Sequence, residues 1–117
     1  MNAEKFVKTW KQEKDNQLKS YLTENTTLVA LEIKQLQLND DQNKILKNIL
    51  NNILTDTYYT LLLGLDGSAS IGGLQQTYTI HDEDGNVIES IGDIEAEAYY
   101  HFIELEEKLN KYEERNL

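Results

Sequence analysis

The chain has 117 residues with no cysteine and no proline, 39 % hydrophobic and 27 % charged, which suits one globular domain with its own core and excludes disulfides and thiolate metal sites. Its net charge of −10 disfavours nucleic-acid binding, because that affinity comes largely from Lys and Arg neutralising phosphates. No apolar run is long enough to cross a bilayer and the opening "MNAEKFVKTWKQEK" has no apolar signal core, so a cytoplasmic location without membrane contact is expected and the glycosylation-type match at Asn25 is idle.

Residues 1–22 read as a first helix, with Phe6, Trp10, Leu18 and Tyr21 on one side and Lys14 interrupting the stripe. The segment "NTTLVALEIKQLQL" supports neither period cleanly and is taken as a short helix. A central helix is expected over 39–64. Asn39 caps it, Gln42 closes a capping-box-like pair, and Asp40 and Asp41 favour the positive end of the dipole. Ile45, Leu46, Ile49, Leu50, Ile53, Leu54, Tyr58, Leu61 and Leu62 make its apolar face so wide that the helix belongs at the centre of the core, and Gly64 is the expected stop.

A β-hairpin is expected over 74–91. Leu74, Tyr78 and Ile80 alternate with Gln75, Thr77 and Thr79, and "DEDGN" offers a turn that pairs Asp82 with Asn86 and sets Ile80 opposite Ile88. A long helix over 93–115 follows, with Ala98, Phe102, Leu105, Leu109 and Tyr112 inward and Ile94, Tyr99 and Ile103 beside them. The order αααββα defines a single α+β domain, mainly helical, with a small antiparallel hairpin or sheet packed on helices.

"GLDGSASIGGLQQ", residues 64–76, holds four of the six glycines. It runs from a helix into an expected strand, the wrong order for a phosphate cradle, and it lacks a P-loop lysine, so it reads as a joint. Asp66, Ser68, Asp82 and Asp84 carry oxygen ligands of the kind Ca²⁺ or Mg²⁺ accepts, and a metal-dependent enzyme or metal-binding protein at the Asp66 loop and the Asp82 to Asp84 tip is one alternative function. The EF-hand pattern is out of register, however. His81 and His101 are the only histidines, and Ser68 and Ser70 lie in no nucleophile-elbow context. No cofactor, no catalytic residue and no specific metal ligand is assigned.

Charge layout carries the main functional expectation. Residues 1–22 hold five lysines against three acids, whereas 48–107 hold twelve acids and no Lys or Arg, ten of the acids between positions 82 and 107. That pattern points to a small binding or inhibitor protein, immunity- or antitoxin-like by analogy of charge and size, which docks a basic protein partner. The expected contact residues are Asp82, Glu83, Asp84, Glu89, Asp93, Glu95, Glu97 and Tyr100. Paired tyrosines at 58–59 and 99–100 each direct one ring inward and leave the next for an interface. A homo-oligomeric structural component, self-associating through the hairpin edge or an exposed helical face, is the remaining alternative.

Overall fold

A computed structural model describes residues 1–88 and 92–115, the side chains of 112–115 excepted. Four α-helices precede the C-terminal one only in part as expected: α1 spans Ala3–Thr23, α2 Leu28–Gln35, α3 Asp40–Asp66 and α4 Asp93–Ala98. A π-helical stretch, Tyr99–Glu104, then joins α4 to α5, Leu105–Arg115. The chain resolves into two compact units, one made of Met1–Lys11 with Tyr58–Leu117 and the other of Gln12–Thr57, with boundaries inside α1 and α3.

The helix starts follow local chemistry. The Thr27 hydroxyl accepts the Ala30 N–H at 3.1 Å and caps α2. At α3, Asn39 Oδ1 accepts the Gln42 N–H at 2.9 Å while Gln42 Oε1 accepts the Asn39 N–H at 3.0 Å, a reciprocal capping box. Gly64 does not stop α3. It lies inside the helix, and a Cβ there would meet the Ile71 side chain at 2.5 Å, so close packing is what asks for glycine at 64. The helix ends two residues later, where Gly67 takes φ of +82°, the left-handed conformation that costs an L side chain energy.

The first unit has an aromatic-rich core. Ala3 and Val7 of α1, Leu62 of α3, and Ile94, Ala98 and Phe102 from the C-terminal helical run are buried together. Around them Trp10 stands edge-on to Phe6 (ring centroids 6.4 Å), tilts against Tyr58 (5.7 Å), and Tyr58 stacks on Phe102 (6.3 Å). Such ring pairs add about 0.5–1.5 kcal/mol each beyond the area they bury.

The second unit buries Ala30, Leu54 and, unusually, Lys14. The residue that breaks the α1 stripe is therefore an interior one. Its ammonium donates to Asn51 Oδ1 at 2.5 Å and lies 3.6 Å from Asp15. A charge out of water needs such partners to persist.

The α+β expectation is wrong. Among the described residues there is no strand and no sheet, and the chain is mainly helical. Only isolated bridges occur, Ile71 with Leu74 and His81 with Val87. The physical reason lies in burial: Leu74, Gln75, Gln76, Thr77, Tyr78 and Thr79 are all exposed, so the period-2 pattern has no surface to pack against. A two-stranded ribbon without such a surface is marginal. What persists is a tight turn, with Asp82 N–H donating to Asn86 O, Gly85 N–H to Asp82 O and Ile88 N–H to Ile80 O. Residues 89–91, the end of the expected hairpin, lie outside the described residues.

Candidate acidic interface

Of the eight expected contact residues, Asp82, Glu83 and Asp84 sit on the turn, while Asp93, Glu95, Glu97 and Tyr100 sit on α4 and the π-helical stretch. Glu89 lies outside the described residues. Glu83, Asp84, Asp93, Glu95 and Tyr100 are exposed, and Asp82 and Glu97 are half-buried. All belong to the first unit.

Asp82 organises the turn. One carboxylate oxygen accepts the N–H groups of Asp84 and Asn86 at 2.9 and 3.0 Å, and the other pairs with the amine of Met1 at 2.9 Å. The amine first, and then the backbone N–H of Asn86, hold its pKa down at about 2. Each of these donors favours the charged form. Asp82 is thus spent on structure, whereas Glu83 and Asp84 beside it form no ion pair among the described residues and face solvent.

The turn borders a groove of about 630 Å³ whose apolar side is Phe6, Trp10, Ile80 and Ile88, with Lys5 and His81 also on its edge. A second hollow, about 540 Å³, lies between the start of α1 and the π-helical stretch. It holds Glu4, Lys8, Glu97, Tyr100 and His101. Glu4 and Lys8 pair at 2.7 Å, and each shifts the other: Lys8 holds the Glu4 carboxyl below its usual range and Glu4 raises the Lys8 ammonium. His101 is buried, with Nε2 3.4 Å from Glu97 Oε2 and its ring edge-on to Tyr100. The π stretch with its i→i+5 bonding spans 99–104; Phe102 keeps its inward place there, whereas Tyr99 and Leu109 are exposed where a 3.6-residue period turns them inward.

Tyrosines behave unevenly. Tyr58 and Tyr59 are both half-buried, and burial pushes the Tyr59 hydroxyl pKa up, helped by the charge of Glu95. Tyr99 and Tyr100 are both exposed, so neither takes the inward role, and the Lys108 ammonium lies 5.9 Å from the centre of the Tyr100 ring.

The glycine-rich joint is held by a buried carboxylate. Both Asp66 oxygens lie 3.1 Å from the Gly92 N–H, the Ser68 hydroxyl contacts Asp66, and that hydroxyl also lies 2.8 Å from Glu95 Oε2. Gln75 adds a bond from its amide to the Gly67 carbonyl at 2.6 Å. Asp66 therefore ties the end of α3 to the start of α4 and so positions Glu95. Among the described residues no three His, Asp or Glu side chains converge on a point that could hold a metal ion.

Lys8, Lys11 and the amine of Met1 come to the acidic half of the unit: Lys11 pairs with Glu106 at 2.7 Å, and Glu104 is paired by Lys108 at 3.1 Å. The expected separation of a basic start from an acidic middle is only partial, and Glu83, Asp84 and Glu95 carry the carboxylates that these cations leave open. Phe6, Trp10, Glu4 and Lys8 are the neighbours that sequence reasoning missed. Their approach to 80–101 spans seventy positions or more, and no local pattern encodes it. No known protein family, curated protein or solved structure matches this chain. Among the described residues no helix is long and apolar enough to cross a membrane.

Proposed function

We propose that this protein is an acidic binding or inhibitor module of the cytoplasm, immunity- or antitoxin-like, that docks a basic protein surface through Glu83, Asp84 and Glu95, with Tyr100 of the same unit as a further contact. The observation that supports this most is the distribution of charge between the two units. The first carries fourteen acids against six Lys and Arg, a balance of −8, and the second seven against five, a balance of −2. Carboxylates presented at one body of the chain accelerate encounter with a cationic partner and penalise competitors that are themselves anionic. Tyr100, exposed in the same unit, offers contact area of the kind interfaces favour.

The test is capture from a lysate of the native cell on the immobilised chain, washed at about 50 mM and about 500 mM salt, a range over which the Debye length falls from above 10 Å to below 5 Å. The expected result is a basic protein retained at low salt, released at high salt, and lost from the double variant Glu83→Lys, Asp84→Lys. Retention that neither salt nor charge reversal affects would refute the electrostatic reading.

A further inference from the structure

The groove beside the Asp82 turn lies wholly within the first unit, with Phe6 and Trp10 coming from α1 and Ile80 and Ile88 from the turn segment. Ile88 is buried, whereas Phe6, Trp10 and Ile80 are half-buried and so keep part of their apolar surface accessible. A hollow of about 630 Å³ falls in the size range of sites that take a small ligand or a partner's side chain. Its lip is unevenly charged. The Asp82 carboxylate is matched by the Met1 amine at 2.9 Å. Of the other carboxylates and lysines in the lining, Glu83 and Asp84 stand against Lys5 alone, and His81 shares the edge.

We infer that this groove takes an arginine side chain of the basic partner, together with an apolar residue next to it in the partner's chain. Such an anchor belongs to the acidic docking surface proposed above, on which it rests, and specifies what the partner presents there. Charge complementarity selects the occupant: an apolar floor under a lip with one carboxylate in excess fits an amphipathic cation and penalises an anion. Arginine suits both parts. Its planar guanidinium pairs with carboxylates through two parallel bonds, packs on aromatic rings and is weakly hydrated, while its methylene stem covers apolar surface. Tryptophan and arginine are both enriched among the residues that carry most binding energy, and such residues tend to face one another across an interface. Lys5 sharpens the selection. It opposes any bare cation, so part of the gain must come from apolar contact with Trp10, Phe6 and Ile80.

Trp10 is the only tryptophan, so the fluorescence of the full chain reports the groove directly. Three end-blocked pentapeptides serve as probes at about 50 mM salt, one alternating leucine with arginine, one glycine with arginine and one leucine with glutamine. The leucine–arginine peptide is expected to change Trp10 emission saturably and to bind at least about fivefold more tightly than either of the others. The double variant Glu83→Lys, Asp84→Lys, at exposed positions, weakens it at least about fivefold without altering circular dichroism, and Lys5→Ala tightens it. Equal binding of the glycine–arginine peptide would mean that charge acts alone, and equal binding of the leucine–glutamine peptide that apolar contact acts alone. Either result overturns the proposal, as does emission that no peptide changes. The groove and the docking surface fail separately. A basic protein captured salt-sensitively while Trp10 emission stays constant refutes the groove and spares the acidic surface, whereas capture indifferent to salt and charge reversal refutes the surface and this anchor with it.

Discussion

Replacing Asp66 by alanine tests whether the glycine-rich segment is a structural joint. The carboxylate is buried and takes hydrogen bonds from the Gly92 N–H and the Ser68 hydroxyl, so the variant removes two charge-assisted bonds and leaves the Gly92 N–H without that acceptor. Bonds to a charged group contribute about 1.5–3 kcal/mol each, and part of the carboxylate's desolvation cost is recovered on its removal, so the net loss is about 3 kcal/mol. For a chain of this length that lowers the melting temperature by roughly 10 °C. Urea unfolding followed by circular dichroism at 222 nm reads it as a lower midpoint with an unchanged slope. Asp66→Asn keeps an acceptor oxygen and loses the charge, so its effect is about half as large. Ser68→Ala, at an exposed position, costs about 1 kcal/mol or less. An Asp66→Ala variant within about 0.5 kcal/mol of wild type would refute the joint, because surface substitutions without structural roles fall in that band.

Two further outcomes follow from individual side chains. Asn51→Ala strips an acceptor from the buried Lys14 ammonium and is expected to cost about 2 kcal/mol in the same urea assay, and a neutral result would mean the ammonium reaches water. Asp82, with its pKa held near 2 against 3.8 for the free group, stabilises the turn at every pH above about 3.8, and this contribution is lost as pH falls through 2. Its carboxyl carbon shift in an acid NMR titration gives the midpoint directly, acetylating the Met1 amine moves that midpoint up, and a midpoint at or above 3.8 before acetylation would contradict the turn geometry.

What was legible in the sequence was local. The capping box at Asn39 and Gln42, the short second helix, and the turn signal in "DEDGN" each depend on atoms within four residues of one another. The strands failed because alternation encodes a strand only when one face is buried, and neither face of 74–79 is buried. The helix end moved from 64 to 66 for a comparable reason: glycine at 64 answers a contact with Ile71, seven residues on, which the sequence reads as a stop. The burial of Lys14 and of His101 was not legible, because Asn51 meets Lys14 from a distant helix and His101 lies in a π turn, neither of which a 3.6-residue period reveals.

Charge shows most clearly how folding edits a sequence-level pattern. Counted along the chain, the sixty residues 48–107 form an unbroken anionic block. Folded, the block meets the start of α1, where Asp82 pairs with the amine of Met1 and Glu106 with the ammonium of Lys11, while Lys108 of the same helical run pairs with Glu104. The exposed Glu104–Lys108 pair contributes little to stability, typically under about 1 kcal/mol, yet all three pairs change what a partner encounters. A cation approaching Glu104 or Glu106 must displace a lysine, whereas one approaching Glu83 or Asp84 displaces only water. Affinity for a basic surface is therefore concentrated at the turn, and reversing the charge of Glu83 and Asp84 should weaken binding more than reversing Glu104 and Glu106, though both variants alter the net charge equally.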